Sequence, residues 1–232
     1  MSKLVIFTGA GISAESDIPT FRDNDGVWEK YDLNVVCNFD TWKDNYNIVH
    51  AFYNKRRHDI NNAKPNAAHH QIAKWQKQYN IKIITQNIDN LLELAGCHDV
   101  LHVHGNIHKM KCSECHAEYD IVNDWVGNCR YCSGYVKPDI VFFNEMAPKY
   151  EDMFAILNNI DVDDVLLVMG TSGQVIDIGT YARHGDFVSI LSNFETSSEK
   201  YQIQDSDFDY VFHGKATQKI FEIDALLKRI MQ

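Results

Sequence analysis

Apolar runs of strand length occur at Lys3 to Thr8, Ile81 to Thr85, Val100 to Val103, Val165 to Met169, Phe187 to Leu191 and Tyr210 to Phe212. Between them, Tyr46 to Ile60, Ala67 to Tyr79, Asp89 to Ala95 and Lys219 to Ile230 carry apolar positions at helical spacing. This alternation predicts an α/β fold with a largely parallel sheet, because parallel strands need crossovers of the kind helices supply. The stretches at about 30–64 and 107–140 break the pattern. They are assigned to a small module inserted into a larger part made of about 1–29, 65–106 and 141–232. Runs in the larger part end in polar or glycine-rich segments: Gly9-Ala10-Gly11-Ile12-Ser13, Gln86-Asn87-Ile88-Asp89 and Gly170-Thr171-Ser172. Open parallel sheets bind ligands beyond the carboxyl ends of their strands, so these segments are expected to line one cleft.

Gly9-x-Gly11-x-x-Ala14 follows a predicted strand and fits a dinucleotide fingerprint, in which glycines let backbone approach a pyrophosphate. A ligand-free strand-to-helix turn gives the same pattern. Pro19 argues against a long crossover helix, and no second strand ending in a ribose-binding acid follows. An ordinary dehydrogenase is therefore disfavoured. Pro19-Thr20-Phe21-Arg22 reads instead as an irregular loop able to close over a dinucleotide, with Arg22 near its phosphates.

Cys112-x2-Cys115 and Cys129-x2-Cys132, thirteen residues apart, have the spacing of two zinc knuckles. Four thiolates fill the shell of a tetrahedral ion and leave no position for water or substrate, so one structural Zn2+ is expected. Disulfides are the alternative, but no secretory leader precedes the pattern. Cys37 and Cys97 read as small buried hydrophobes. No apolar run reaches the roughly 18 residues of a membrane span. The net charge of −10 disfavours nucleic acid as partner. A cytoplasmic protein is the expectation.

His104 closes the Val100-Leu101-His102-Val103 run. An imidazole there is placed to act as a base at physiological pH. A structural histidine and a metal cluster of His102, His104 and His108 are the other readings.

In combination, Gly9 to Ser16, Ile18-Pro19-Thr20-Phe21-Arg22, Thr85 to Asp89, His104-Gly105, the cysteines, Gly170-Thr171-Ser172 and Asn193-Phe194-Glu195 resemble the sirtuins, the NAD-dependent protein lysine deacylases. The resemblance covers nearly the whole chain and implies a Rossmann-like domain with a zinc module. NAD as co-substrate and acyl-lysine proteins as partners would meet in the cleft between them. It implies that His104 is the general base, with Asn87 and Asp89 beside it in the catalytic site. Gln86, Asn87, Ile88 and Asp89 would hold the nicotinamide ribose and carboxamide. Gly9, Ala10, Gly11, Ser13, Glu15, Phe21 and Arg22 would form the cofactor loop, with Phe21 shielding the reacting face. Gly170, Thr171, Ser172, Asn193 and Glu195 would take the adenosine half, and Ala216 would also touch the cofactor. Val141 and Phe143, with Gly173 to Val175, would pair with the substrate backbone. In the family the acyl oxygen attacks the ribose carbon as nicotinamide leaves, and O-acyl-ADP-ribose results.

Tyr53 and Arg56 share a helix face and resemble the signature of sirtuins that remove succinyl, malonyl or glutaryl groups. Desuccinylase and demalonylase activity, alongside deacetylase activity, is therefore expected. Read without the family, Lys55-Arg56-Arg57-His58 is a solvated basic helix end. Asp17 and Asn144 stand where the family carries glycine, and Cys37 stands where acidic-acyl members carry alanine. An NAD glycohydrolase or ADP-ribosyltransferase, and a non-catalytic NAD-sensing module, are the rival functions.

Overall fold

The computed structural model describes residues 2–20, 32–125, 127–198 and 202–231. Six parallel strands form the main sheet in the order β3-β2-β1-β7-β8-β9. They are β1 (Lys3–Thr8), β2 (Asn80–Thr85), β3 (Val100–His102), β7 (Val165–Met169), β8 (Val188–Asn193) and β9 (Tyr210–His213). The strand order reverses beside β1, where Ile6 lies in register with Ile83 on one side and Leu167 on the other. Both faces of the sheet are covered. Leu4 and Ile6 point to a layer containing α3 (Ala67–Trp75) and α7 (Ala216–Ile230), while Val5 and Phe7 point to α5 (Tyr150–Leu157) and α6 (Gly179–His184). Burial on two faces is why the strand runs are continuously apolar.

Helix α3 is shorter than the 67–79 expected. Its cooperative ladder gives way at Trp75 to tighter turns, with Gln78 N–H donating to the Trp75 carbonyl. At its start, the Asn66 side chain accepts from Ala68 N–H, and His69 Nδ1 accepts from Asn66 N–H at 3.2 Å.

A second sheet of three antiparallel strands has the order β5-β4-β6, from β4 (Gly105–Cys112), β5 (Glu118–Asp120) and β6 (Val136–Ile140). The hydrophobic pattern misses it, because β5 is only three residues long and the paired strands β4 and β5 carry Lys109, Glu118 and Asp120 at exposed positions and Lys111 at a half-buried one. Pro138 is tolerated because β6 is an edge strand. Helix α1 (Leu33–Val36), α2 (Tyr46–Asn62) and the short α4 (Leu91–Leu94) complete the elements used below. One face of α2 packs Val49, Phe52, Tyr53 and Ile60 against Ile107 and Ile140 of the small sheet and against Ile18 and Leu91. No helix among the described residues is long and apolar enough to cross a membrane.

Candidate functional site

The cleft begins at the reversal point. Gly9 N–H donates to the Met169 carbonyl and Gly11 N–H to the Gly170 carbonyl, both at 2.9 Å, which docks the loop after β1 on the loop after β7. Gly170 has φ of +63°, and a Cβ there would lie 2.6 Å from the Ile12 nitrogen. Only glycine fits this approach. Beyond it the chain makes two short turns, Ala10–Ile12 and Ala14–Ser16, and ends them at Asp17 with φ of 62°. Phe21 and Arg22 lie outside the described residues.

The polar end of β2 folds over this loop. Ser13 Oγ donates to Asp89 Oδ2 at 3.0 Å and accepts from Asn87 Nδ2 at 3.1 Å. His69 Nε2 lies 3.5 Å from the same hydroxyl. The His69 tautomer follows from its other nitrogen: Nδ1 accepts from Asn66 N–H, so Nε2 carries the proton and donates to Ser13. Burial lowers the His69 pKa to about 4, which keeps the ring neutral. Burial raises the Asp89 pKa, against the N–H of Leu91 and the Ser13 hydroxyl, which favour the charged form. Neither His69 nor its role is visible in the motifs. The residue that betrays it is Asn66, a helix cap whose return partner is a histidine.

Two residues apart on β3 and its end, His102 and His104 have opposite environments. His102 donates from Nδ1 to the Asn87 carbonyl and from Nε2 to Glu93 Oε1 at 2.7 Å. Burial opposes its charge, but the Glu93 carboxylate outweighs burial and raises the pKa. His104 has no such partner; burial lowers its pKa, and the Gln86 carbonyl restores only part. Nδ1 of His104 donates to that carbonyl at 3.2 Å, so Nε2 holds the lone pair, and it accepts from the Tyr150 hydroxyl at 2.9 Å. His104 is thus the neutral imidazole with a basic nitrogen at the sheet edge. The alternative triad does not assemble, since His108 turns to Asn61.

Several expected cofactor contacts also hold the cleft together. Gln86 Nε2 donates to Thr171 Oγ1, and Asn193 clasps the Thr171 backbone through both Oδ1 and Nδ2. The Glu15 carboxylate accepts from Thr217 N–H and Oγ1, next to Ala216 at the first turn of α7. Ser172 is buried, and Glu195 follows the end of β8. Ile88 accepts from Ile107 N–H, joining the loop to the small sheet.

Tyr53 and Arg56 both lie inside, at 2% and 5% exposure, on the buried face of α2. The solvated reading of this basic stretch therefore fails at Arg56 and Arg57 and holds at Lys55 and His58, which are exposed. Arg57 is buried as well and ties α2 to the small sheet through Nε to the Ile107 carbonyl at 2.8 Å. Tyr53 stacks on Phe142, with centroids 5.6 Å apart, and burial together with the Cys37 thiol holds its phenol protonated. Val141 N–H donates to the His104 carbonyl, Phe143 N–H to the Cys37 carbonyl and Phe142 N–H to Glu145 Oε2. These N–H groups are spent, and the Phe142 and Phe143 carbonyls already accept from the N–H groups of Glu145 and Phe39.

Cys112, Cys115, Cys129 and Cys132 bring their sulfurs within 4.8 Å of one another. Pairs at 3.5 Å approach the edge of about 3.8 Å that a tetrahedron with Zn–S near 2.3 Å requires. Backbone N–H groups of Glu114, Cys115, Tyr131 and Gly134 point at the sulfurs, as thiolate ligands need. The donor set fits one closed, structural zinc. Cys37 and Cys97 are buried free thiols.

The Sir2 family pattern matches residues 9–177. The chain is 41% identical to an NAD-dependent protein deacylase of Helicobacter hepaticus, over 99% of this chain and 98% of that one. Among solved structures it is similar to a Sir2 homolog–NAD complex, with 30% identity, a TM-score of 0.84 and coverage of 99% and 91%. It is also similar to a Sir2 protein with deacetylated p53 peptide and 3'-O-acetyl ADP ribose, with 26% identity, a TM-score of 0.82 and coverage of 96% and 92%. The glycine loop at the strand reversal, the buried polar set beside His104 and the four-cysteine module occur together because this chain belongs to the Sir2 family.

Proposed function

We propose that the protein removes acyl groups from protein lysines at the expense of NAD, releasing nicotinamide and O-acyl-ADP-ribose. The observation that carries this reading is His104, a neutral ring whose Nε2 lone pair stands at the sheet edge beside the Ser13, Asn87 and Asp89 cluster. Bound NAD would supply an electrophilic sugar carbon. Gln86, Asn87 and Asp89 would hold the nicotinamide ribose and carboxamide, with Ser13 bonded to Asn87 and Asp89, and His104 would take a proton from one of the ribose hydroxyls. Gly9, Gly11 and Gly170 let the loops after β1 and β7 pack on each other at the strand reversal, the place where a parallel sheet would receive the phosphates of NAD. Water must be kept from the reacting carbon, or plain NAD hydrolysis competes.

Removal of acidic acyl groups is the finer part of the proposal. Tyr53 and Arg56 come from one face of α2, and a buried guanidinium beside a protonated phenol is chemistry suited to a terminal carboxylate. Nicotinamide release with acetyl- and succinyl-lysine peptides tests both levels. Release that depends on peptide and is abolished in a folded His104→Tyr variant is expected; equal NAD loss without peptide would assign a glycohydrolase. Arg56→Met should lower succinyl turnover far more than acetyl turnover, and equal loss on both rejects the carboxylate clamp.

A further inference from the structure

Tyr150 is the first residue of α5, and its hydroxyl lies 2.9 Å from His104 Nε2. Its ring packs against His104 at 5.9 Å between centroids and edge-on to Phe154 at 6.0 Å. Because Nδ1 of His104 is committed to the Gln86 carbonyl, Nε2 has one lone pair and Tyr150 is its donor. A sugar hydroxyl that gives its proton to this nitrogen must occupy the same position. We propose that Tyr150 is a positioning residue that holds the His104 base in register and is exchanged for the substrate hydroxyl at each turnover. This inference rests on the reading of His104 as the base.

The other groups around His104 leave this role to Tyr150. The loop after β2 contributes the Gln86 carbonyl, and Asp89 of that loop acts on His102. From β3 comes His102, paired with Glu93, and from the 141–143 segment a backbone N–H on the His104 carbonyl. Burial raises the Tyr150 pKa, so the phenol remains a donor wherever the imidazole is neutral.

Tyr150→Phe keeps the ring and deletes the hydroxyl. A donor to the neutral imidazole favours the neutral form and holds its pKa down, so deletion lets the pKa rise. The acid limb of kcat/KM for NAD, which reports the free enzyme, is expected to move to higher pH. The limb of kcat, which reports the complex, should stay in place. The KM for NAD should fall about 2- to 10-fold, because one hydrogen bond no longer has to be exchanged. Replacing Tyr150 by a ring-fluorinated tyrosine, a stronger donor, should move the kcat/KM limb the other way. Histidine 15N spectra of the free proteins should show His104 titrating at higher pH in Tyr150→Phe, independent of turnover. An unmoved His104 titration, or both limbs moving together, overturns the proposal. Normal turnover in His104→Tyr would instead remove the base reading itself.

Discussion

Ser13 is a small residue at which three polar side chains converge: its hydroxyl serves Asp89, Asn87 and His69 at once. Ser13→Ala would leave buried Asn87 and His69 donors without an acceptor, a loss of about 1–3 kcal/mol for an unsatisfied group. A lower urea midpoint and a more than tenfold loss of nicotinamide release are expected together, the second because Asn87 and Asp89 lose their anchor. His69 adds a pH dependence. Its folded pKa of about 4 lies below the ordinary 6.5, so the unfolded chain binds the extra proton. Stability is then fully present above about 6.5 and is lost as pH falls toward about 4, by at most about 3 kcal/mol. Urea midpoints followed through the acid range check this, with His69→Gln expected to flatten the decline. Ser13, Asn87 and Asp89 are legible in the sequence because they sit where strands stop. His69 and Tyr150 are not, since His69 lies on a helix whose pattern shows only apolar spacing, Tyr150 opens a helix that the pattern does not mark, and each reaches the site from far along the chain. Asp17 and Asn144 show the converse. Expected from the family resemblance to replace glycine, they adopt φ of 62° and 65°, a region asparagine and aspartate tolerate better than other side chains.

Among the elements, α7 depends on a residue far from it in sequence. Glu15 accepts from the N–H and hydroxyl of Thr217 at the positive end of the helix, so the turn after β1 caps α7. Glu15→Ala is expected to cost about 1 kcal/mol, a fall of about 2–4 °C in Tm for a chain of this size. A Glu15→Ala protein that melts like wild type while binding NAD weakly would show that Glu15 serves the cofactor alone. The central strands of the large sheet are legible because helices cover both faces, so that β1 and β7 read as nearly unbroken apolar runs. Strands β4 to β6 are not, since one face meets solvent and carries lysines that read as loop. Charge misleads at α2 in the same way. Arg56 and Arg57 look like a solvated end, yet both are buried, and Arg57 donates to the carbonyl of Ile107 and to Asn54 Oδ1.

At the scale of the molecule, stability is divided unequally. The large sheet packs two extensive apolar layers, whereas the core beneath β4 and β5 consists of Met110, Cys112, Trp125, Cys129 and Val136. So few apolar side chains give the cysteine end of the small sheet little support, and two of them are themselves metal-site cysteines, whereas its other end packs Ile107 and Ile140 into the core beneath α2. The four thiolates are therefore expected to hold the cysteine end of the module, and Arg57, His50 and Asn54 of α2 bond to the module's backbone, beside the apolar contacts of Val49, Phe52 and Ile60 that also fix the helix carrying Tyr53 and Arg56. One zinc per chain is expected by elemental analysis. Chelation, or Cys129→Ser, should release it, expose Trp125 to a red-shifted fluorescence and abolish deacylation. Far-ultraviolet circular dichroism should keep most of its signal, because the main sheet closes both of its own cores. Two results would count against this division: full turnover in a metal-free protein, or loss of the whole fold together with the zinc.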